Sequence, residues 1–286
     1  MKPEDFDLFA VLVKQRSGLV LSRDKAYLLE SRLTPVARKW NLKTLDDLAT
    51  QVRDKREETL LRDITEAMTT NESFFFRDQK PFDQFRNLLL PQLLKSRAAK
   101  KQIRIWSAAA SSGQEAYSLA MILTEEAAKL QGWKIDIVGT DLSSEIIDRA
   151  KSGIYSQFEV QRGLPVTLLV KYFQQIAADK WQVKDNIRSM VQYKTLNLLT
   201  DFGPVGVFDI VYCRNVLIYF DQPTKSKVLD AIANVMAPDA ALFLGGAETV
   251  LGITNRFKPM DNERGLYVMA GSAAAAASPS PVAGKV

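Results

Sequence analysis

The chain has 286 residues, of which 47% are hydrophobic and 25% charged, with a formal net charge of +5. That profile belongs to an ordinary globular chain with room for one large domain or two smaller ones, and it is far less basic than a nucleic-acid-binding tail. Histidine is absent and Cys213 is the only cysteine, which excludes Ser–His and Cys–His nucleophiles, most catalytic zinc sites and any intramolecular disulfide.

The start, MKPEDFDLFAVLV, carries acidic residues and only a short apolar run, which argues against a signal peptide. No stretch of about twenty apolar residues is present to span a bilayer, so a cytoplasmic location is the default expectation. The first seventy residues have helical periodicity. Phe6, Phe9 and Val13 share a face that stops at Gly18. A second helix is expected from Ser22 or Asp24, burying Ala26, Leu29, Leu33, Val36 and Trp40 as one stripe, with Pro35 kinking it. Lys25, Arg32 and Lys39 recur every seven residues along one edge of that stripe. Such an edge fits a solvated helix face and also a docking surface for an acidic helix. Two more helices, marked by Leu45, Leu48 and Val52 and then by Leu60, Ile64 and Met68, complete a small all-α domain over residues 1–70.

Residues 71–83 form a linker in which the helical rhythm breaks. Phe74, Phe75 and Phe76 cannot all face one side of a helix, and Asn71, Ser73 and Arg77 are interleaved with them. The polar set suits a capped linker, with Ser73 or Asn71 as the cap, and equally a grip on a ligand edge. A helix from about Pro81 to Leu94 leads to the strand Ile103–Trp106. Ser107 to Gly113 then supply almost no side chain, and Ala116, Leu119, Ala120 and Leu123 restore helical spacing from Gln114 onward. Strand, small-residue turn and helix is the arrangement that brings a nucleotide-type ligand to the backbone in doubly wound α/β domains. Gly113 alone stands for the usual glycine triplet, so taken alone the stretch fits a ligand loop and an ordinary connection alike.

A second strand, IDIVGTD, ends at Asp141. Its carboxylate can accept both hydroxyls of a ribose or cap the helix that starts near Ser143. Between about 157 and 190 the βα alternation lapses. Phe173–Ile176, Trp181–Val183 and Ile187–Val191 are expected to form a small antiparallel sheet, with turns at Asp179–Lys180 and Asp185–Asn186. Strands resume at Val191–Leu196, ending on Asn197, and at Phe208–Cys213, followed by Arg214, Asn215 and the run VLIYF. A helix over Thr224–Met236, a strand Ala241–Leu244 and a closing strand Gly265–Ala270 complete a domain of residues 84–270. Residues 271–286, with nothing to bury and two prolines, are expected to be a disordered tail.

TTNESFFFR, SAAASSGQEAYSLAM, GTDLS, TLNLL and CRNVLIYFD, in this order, resemble the CheR-type chemotaxis receptor methyltransferases, which are protein-glutamate O-methyltransferases. The resemblance runs from the helical domain through Met269. It implies a Rossmann-like α/β domain that binds S-adenosyl-L-methionine and releases S-adenosyl-L-homocysteine, with a three-stranded antiparallel insert and a small helical domain ahead of it. By the same resemblance, cofactor contacts fall on Asn71, Ser73, Arg77, Glu115, Asp141, Asn197, Leu198, Arg214 and Asn215. Tyr219 matches the family's active-site tyrosine, and Arg77 is the other catalytic candidate. Ser73 stands where many members have threonine and keeps the hydroxyl, whereas Pro35, in the helix the family turns toward its receptor, is a departure. The implied partner is the cytoplasmic helices of a chemoreceptor, with no nucleic acid, no membrane insertion and no metal.

The chemistry suits the residue inventory. A glutamate carboxylate with an ordinary pKa of about 4.3 is already ionised at neutral pH, so no general base is needed and the missing histidine is no loss. The competing readings are a non-catalytic sensor of the cofactor and a nucleic-acid methyltransferase. The latter calls for a broad basic face, which the interspersed acidic residues of 1–70 argue against.

Overall fold

The computed structural model describes residues 2–272. The expected tail, beyond residues 271 and 272, lies outside the described residues. Helices α1 (Pro3–Ser17), α2 (Ala26–Lys39), α3 (Leu45–Lys55) and α4 (Glu58–Ala67) turn their apolar stripes onto one another. Phe9, Val13, Leu29, Leu33, Leu48, Leu60 and Ile64 become fully buried between them. α1 stops on Gly18, which takes the left-handed conformation (φ 79°) and returns its N–H to the Lys14 carbonyl. α3 begins with a capping box between Thr44 and Asp47. α2 starts after a short 3₁₀ turn at Arg23–Lys25 and continues through Pro35. The burial of Leu33 before the proline and Val36 and Ala37 after it holds both halves in place.

The helix expected over Pro81–Leu94 runs without a break from Lys80 to Ser96, with a π turn inside it: α5 (Lys80–Gln84), the turn at Phe85–Leu89, and α6 (Leu90–Ser96). Pro91 explains the wide turn. It has no N–H for the Asn87 carbonyl and its ring crowds that oxygen, so the chain widens and Leu90 bonds back to Phe85.

The second domain alternates β1 (Gln102–Ser107), α7 (Gln114–Glu125), β2 (Lys134–Asp141) and α8 (Ser144–Ser152). A small subdomain follows, made of β3 (Ile154–Ser156), α9 (Gln157–Gln161), α10 (Val166–Tyr172), β4 (Phe173–Ala177), β5 (Lys180–Val183) and α11 (Asp185–Arg188). The chain then returns through β6 (Val191–Thr195), β7 (Phe208–Cys213), α12 (Gln222–Asn234), β8 (Met236–Leu244), β9 (Phe257–Met260) and β10 (Glu263–Met269). The main sheet has the order β6-β2-β1-β7-β8-β10-β9. Its first five strands are parallel and the last two pairings antiparallel. Because the chain leaves β1 toward β2 and β6 and then crosses to β7, a crevice opens above the C-terminal ends of β1 and β7. Apolar side chains fill both faces of the sheet, with Ile103 and Ile105 on one side and Trp106, Phe208 and Val211 on the other. Among the described residues, no helix is long and apolar enough to cross a membrane.

Three strand expectations require correction. The small sheet takes its third strand from β3, which pairs with β5, and not from Ile187–Val191. Ile187 is instead fully buried from the short helix α11, since a brief apolar run specifies burial without specifying helix or strand. The helix expected to reach Met236 stops at Asn234, and Met236 opens β8. Pro238 is tolerated in that strand because it lies where the register slips, between the pairs Phe208–Met236 and Ile210–Ala241. Strand β9 was not anticipated; it holds Pro259 on the sheet's edge, where a missing donor costs little.

Candidate functional site

Above the crevice, the loop after β1 is held flat across the strand ends. Ala108 N–H donates to the Tyr212 carbonyl and Ala110 N–H to the Thr140 carbonyl, each at 2.8 Å. The small side chains of this loop are a steric demand. Gly113 sits at φ 97°, and a Cβ there would lie 2.6 Å from the Tyr193 hydroxyl. Ser111 adopts φ 50°. Its hydroxyl donates to the Asn71 carbonyl at 2.9 Å, which lays the linker over the loop.

A cleft of about 930 Å³, including the solvent at its mouth, lies between loop, linker and helical domain. Every cofactor and catalytic candidate lines it: Asn71, Ser73 and Arg77 from the linker, Glu115 from α7, and Asp141 from β2. Asn197 and Leu198 after β6, and Arg214, Asn215 and Tyr219 after β7, close the ring. The helical domain adds Ser17 and Leu19 to the wall, which the sequence reading missed. The available signal was Gly18, a helix stop beside a residue pair left out of the apolar stripe.

Asp141 is 8% exposed. Its carboxylate accepts the Ser111 N–H at 2.8 Å and the Ser143 N–H at 3.2 Å. The helix cap is a different group, the Ser143 hydroxyl, which accepts the Ile146 N–H. Asp141 therefore ties the β1 loop to the start of α8. Burial pushes its carboxyl above the usual carboxylate range, against the pull of the backbone donors.

Arg214 is the charged centre of the cleft, its side chain 2% exposed. It donates to Glu115 at 3.0 Å, to the Arg77 carbonyl at 2.9 Å and to Asp78 at 2.7 Å. Glu115 also accepts from the Ser107 hydroxyl at 2.7 Å. The Arg214 Nε is buried with no hydrogen-bond partner among the described residues. By gripping the Arg77 carbonyl, Arg214 holds a linker turn in which Phe76, Asp78 and Gln79 all have positive φ, conformations that non-glycine residues avoid unless their surroundings enforce them. Arg77 itself donates to the Glu72 carbonyl and lies over the Phe74 ring. Phe75 and Phe76 are buried in the main core.

Asn197 donates to the Arg16 carbonyl at 2.5 Å and accepts the Leu199 N–H at 3.0 Å. Asn215 is left-handed, at φ 58°. The Tyr219 ring packs against both the helical-domain core and the core under β7 and β8. The hydroxyls of Ser73 and Tyr219 have no hydrogen-bond partner among the described residues.

The three basic docking candidates are not alike. Lys25 is exposed. Lys39 pairs with Asp63 at 2.8 Å. Arg32 is turned toward the residues just before the linker, where it donates to the carbonyls of Met68 and Thr69 and to the Thr70 hydroxyl.

Family models match both parts of the chain: "CheR methyltransferase, all-alpha domain" over residues 4–69, and "CheR methyltransferase, SAM binding domain" over residues 71–266. Chemotaxis protein methyltransferase 1 of Pseudomonas aeruginosa is 38% identical over 269 residues, covering 93% of this chain and 97% of that protein. The Vibrio cholerae protein of the same name is 38% identical over 257 residues, 89% of this chain and 92% of that one. A chemotaxis protein methyltransferase of Borreliella burgdorferi is 34% identical over 248 residues, 85% and 87% of the two chains.

Proposed function

Because this chain belongs to the CheR methyltransferase family, we propose that it methylates glutamate side chains on the cytoplasmic helices of chemoreceptors, forming methyl esters for sensory adaptation. The family's cofactor is S-adenosylmethionine. The residues present fit it. A buried carboxylate at the end of β2, Asp141, offers lone pairs and no donor to a ribose diol. Arg214 and Glu115, paired with each other, line the same cleft, and Arg214 keeps a buried Nε without a hydrogen-bond partner among the described residues, a donor and acceptor pair matched to an amino-acid zwitterion.

When bound, S-adenosylmethionine supplies a methyl group on a sulfonium, open to in-line displacement by a carboxylate. This chain's residues bind and align. Asp141 would accept from the ribose, and Asn71, Ser73, Asn197, Leu198 and Asn215, which line the same cleft, would hold the rest of the cofactor. Arg77 and Tyr219 face the same space and orient the incoming carboxylate. No residue needs to remove a proton, since the acceptor glutamate is ionised at neutral pH. Displacement annihilates opposite charges, so a walled pocket favours the transition state over hydrated reactants. The helical domain supplies that wall through Ser17 and Leu19.

The observation that carries the proposal is the convergence of residues from Ser17 to Phe220 on one cleft roofed by the helical domain. The test is incubation with methyl-labelled donor and receptor cytoplasmic fragments. Label in a base-labile ester on the fragment is expected. Label in nucleic acid, or tight binding of S-adenosylhomocysteine without transfer to any fragment, would overturn it.

A further inference from the structure

Resting on that reading, we infer that Glu248 is a positioning residue for methyl transfer, acting through the backbone of Asn215–Tyr219. Glu248 follows the end of β8, is 9% exposed and does not line the cleft. One carboxylate oxygen accepts the N–H of Asn215 at 2.8 Å and of Gly245 at 2.6 Å. The other accepts the N–H of Val216 at 2.9 Å and of Ile218 at 3.3 Å. Four backbone donors from two segments thus converge on a single side chain.

The convergence follows from local conformation. Asn215 is left-handed, and this turns successive N–H groups of the segment to one side, a concavity that selects an anion. An ionised carboxylate has acceptor sites for all four and no donor to oppose them. Gly245 leaves the room for this contact: a Cβ there would stand 2.7 Å from the Glu248 carboxylate and 2.9 Å from the Asn215 backbone nitrogen. On the opposite side, the Tyr219 carbonyl accepts the Val20 N–H at 2.9 Å. The segment bearing Asn215 and Tyr219 is therefore pinned by Glu248 from within the sheet domain and by the strand-like residue Leu19 and its neighbour from the helical domain.

Glu248→Gln tests the role, because it keeps shape but sets an NH₂ against two N–H donors. Three measurements are made: kcat and KM on a receptor fragment, amide hydrogen exchange without cofactor, and thermal unfolding. We expect kcat to fall by about tenfold or more with receptor KM within about threefold. Exchange should quicken at residues 215–218 and 245 while β1, β2 and the helical domain keep their protection. A kcat within about twofold of wild type, or a loss of rate with unchanged exchange at 215–218, overturns the role. So does faster exchange throughout the main sheet with rate lost only in proportion to folded protein. Should Glu248→Gln fail to fold, Glu248→Asp carries the same comparison, with acceptor-only chemistry on a shorter arm. A wild-type protein that neither binds S-adenosylhomocysteine nor transfers methyl overturns the functional reading itself, and the positioning role with it.

Discussion

Tyr219 and Asp141 show two ways in which one side chain can matter to this cleft. Tyr219 keeps its ring packed between two cores and its hydroxyl unpartnered. Tyr219→Phe removes the hydroxyl and leaves the packing intact, so we predict a methylation rate lower by about ten- to a hundredfold with thermal stability unchanged. Arg77→Ala should lose rate similarly; turnover assays paired with melting curves check both, and wild-type rates in both variants would remove them from the catalytic step. Asp141 is structural, and in the proposed reading it also meets the cofactor's ribose. Its raised carboxyl means that the folded protein holds a proton more tightly than the unfolded chain. Across the window between the ordinary carboxylate value and the raised one, stability therefore falls as pH rises. Binding runs in the opposite sense, because only the ionised form accepts both ribose hydroxyls. Calorimetric affinity for S-adenosylhomocysteine should decline on acidification toward that window. Asp141→Asn should bind about ten- to a hundredfold more weakly at neutral pH and show a flat profile.

Among the elements, the linker is held in an unfavourable backbone conformation by its neighbours. Arg214 holds it from the sheet domain and the small subdomain from outside, while Arg32 of α2 holds the residues just before it. In the subdomain, Arg162 lies 4.3 Å from the Phe74 ring centroid and pairs with Glu72, and the next residue, Gly163, meets the Phe75 carbonyl. A Cβ at Gly163 would stand 2.1 Å from that oxygen, at a backbone φ of 79°. Gly163→Ala should cost at least about 1–2 kcal/mol from the left-handed backbone alone and, by displacing the linker, weaken S-adenosylhomocysteine binding. Gly246→Ala is the control: its Cβ meets nothing within 4 Å and stability should move by less than about 0.5 kcal/mol. Thermal melts and titrations on the two variants decide it. The residue types of the linker were readable as a ligand grip. Its imposed turn was not, because three of its positive-φ residues, Phe76, Asp78 and Gln79, carry no glycine to announce it.

At the scale of the whole molecule, the helical domain is clamped to the sheet domain at several points around the cleft. Glu66 at the end of α4 accepts from the Ser143 hydroxyl and from the N–H and hydroxyl of Ser144, at the start of α8. A carboxylate at a helix N-terminus satisfies otherwise unpaired donors and meets the favourable end of the helix dipole. Lys14 of α1 pairs with Asp221, the cap of α12, at 2.7 Å. Lys14, with Thr224, holds the Asp221 carboxyl down to about 2. That contribution is present above the ordinary carboxylate value and is lost as pH falls through about 2. Glu66→Ala should lower stability by about 1 kcal/mol and speed hydrogen exchange at the Ser144 amide, with exchange in β1 and β7 unchanged. Unaltered exchange at Ser144 would show that the clamp does not depend on Glu66.

The sequence by itself determined the α/β class behind a helical domain, the strand, small-residue turn and helix after Gln102, and the polar residues that stand at the strand ends. These are local properties, written in hydrophobic period, turn chemistry and residue type. Only the tertiary structure decided which segments meet. It assigned β3 to the small sheet, turned Arg32 inward onto the residues before the linker, brought Ser17 and Leu19 into the cleft wall and set Glu248 beneath Asn215. The physical reason is that a side chain bonding to distant backbone leaves no mark at the other end. Every residue but proline offers the same N–H, and an apolar period states that a face is buried without stating against what.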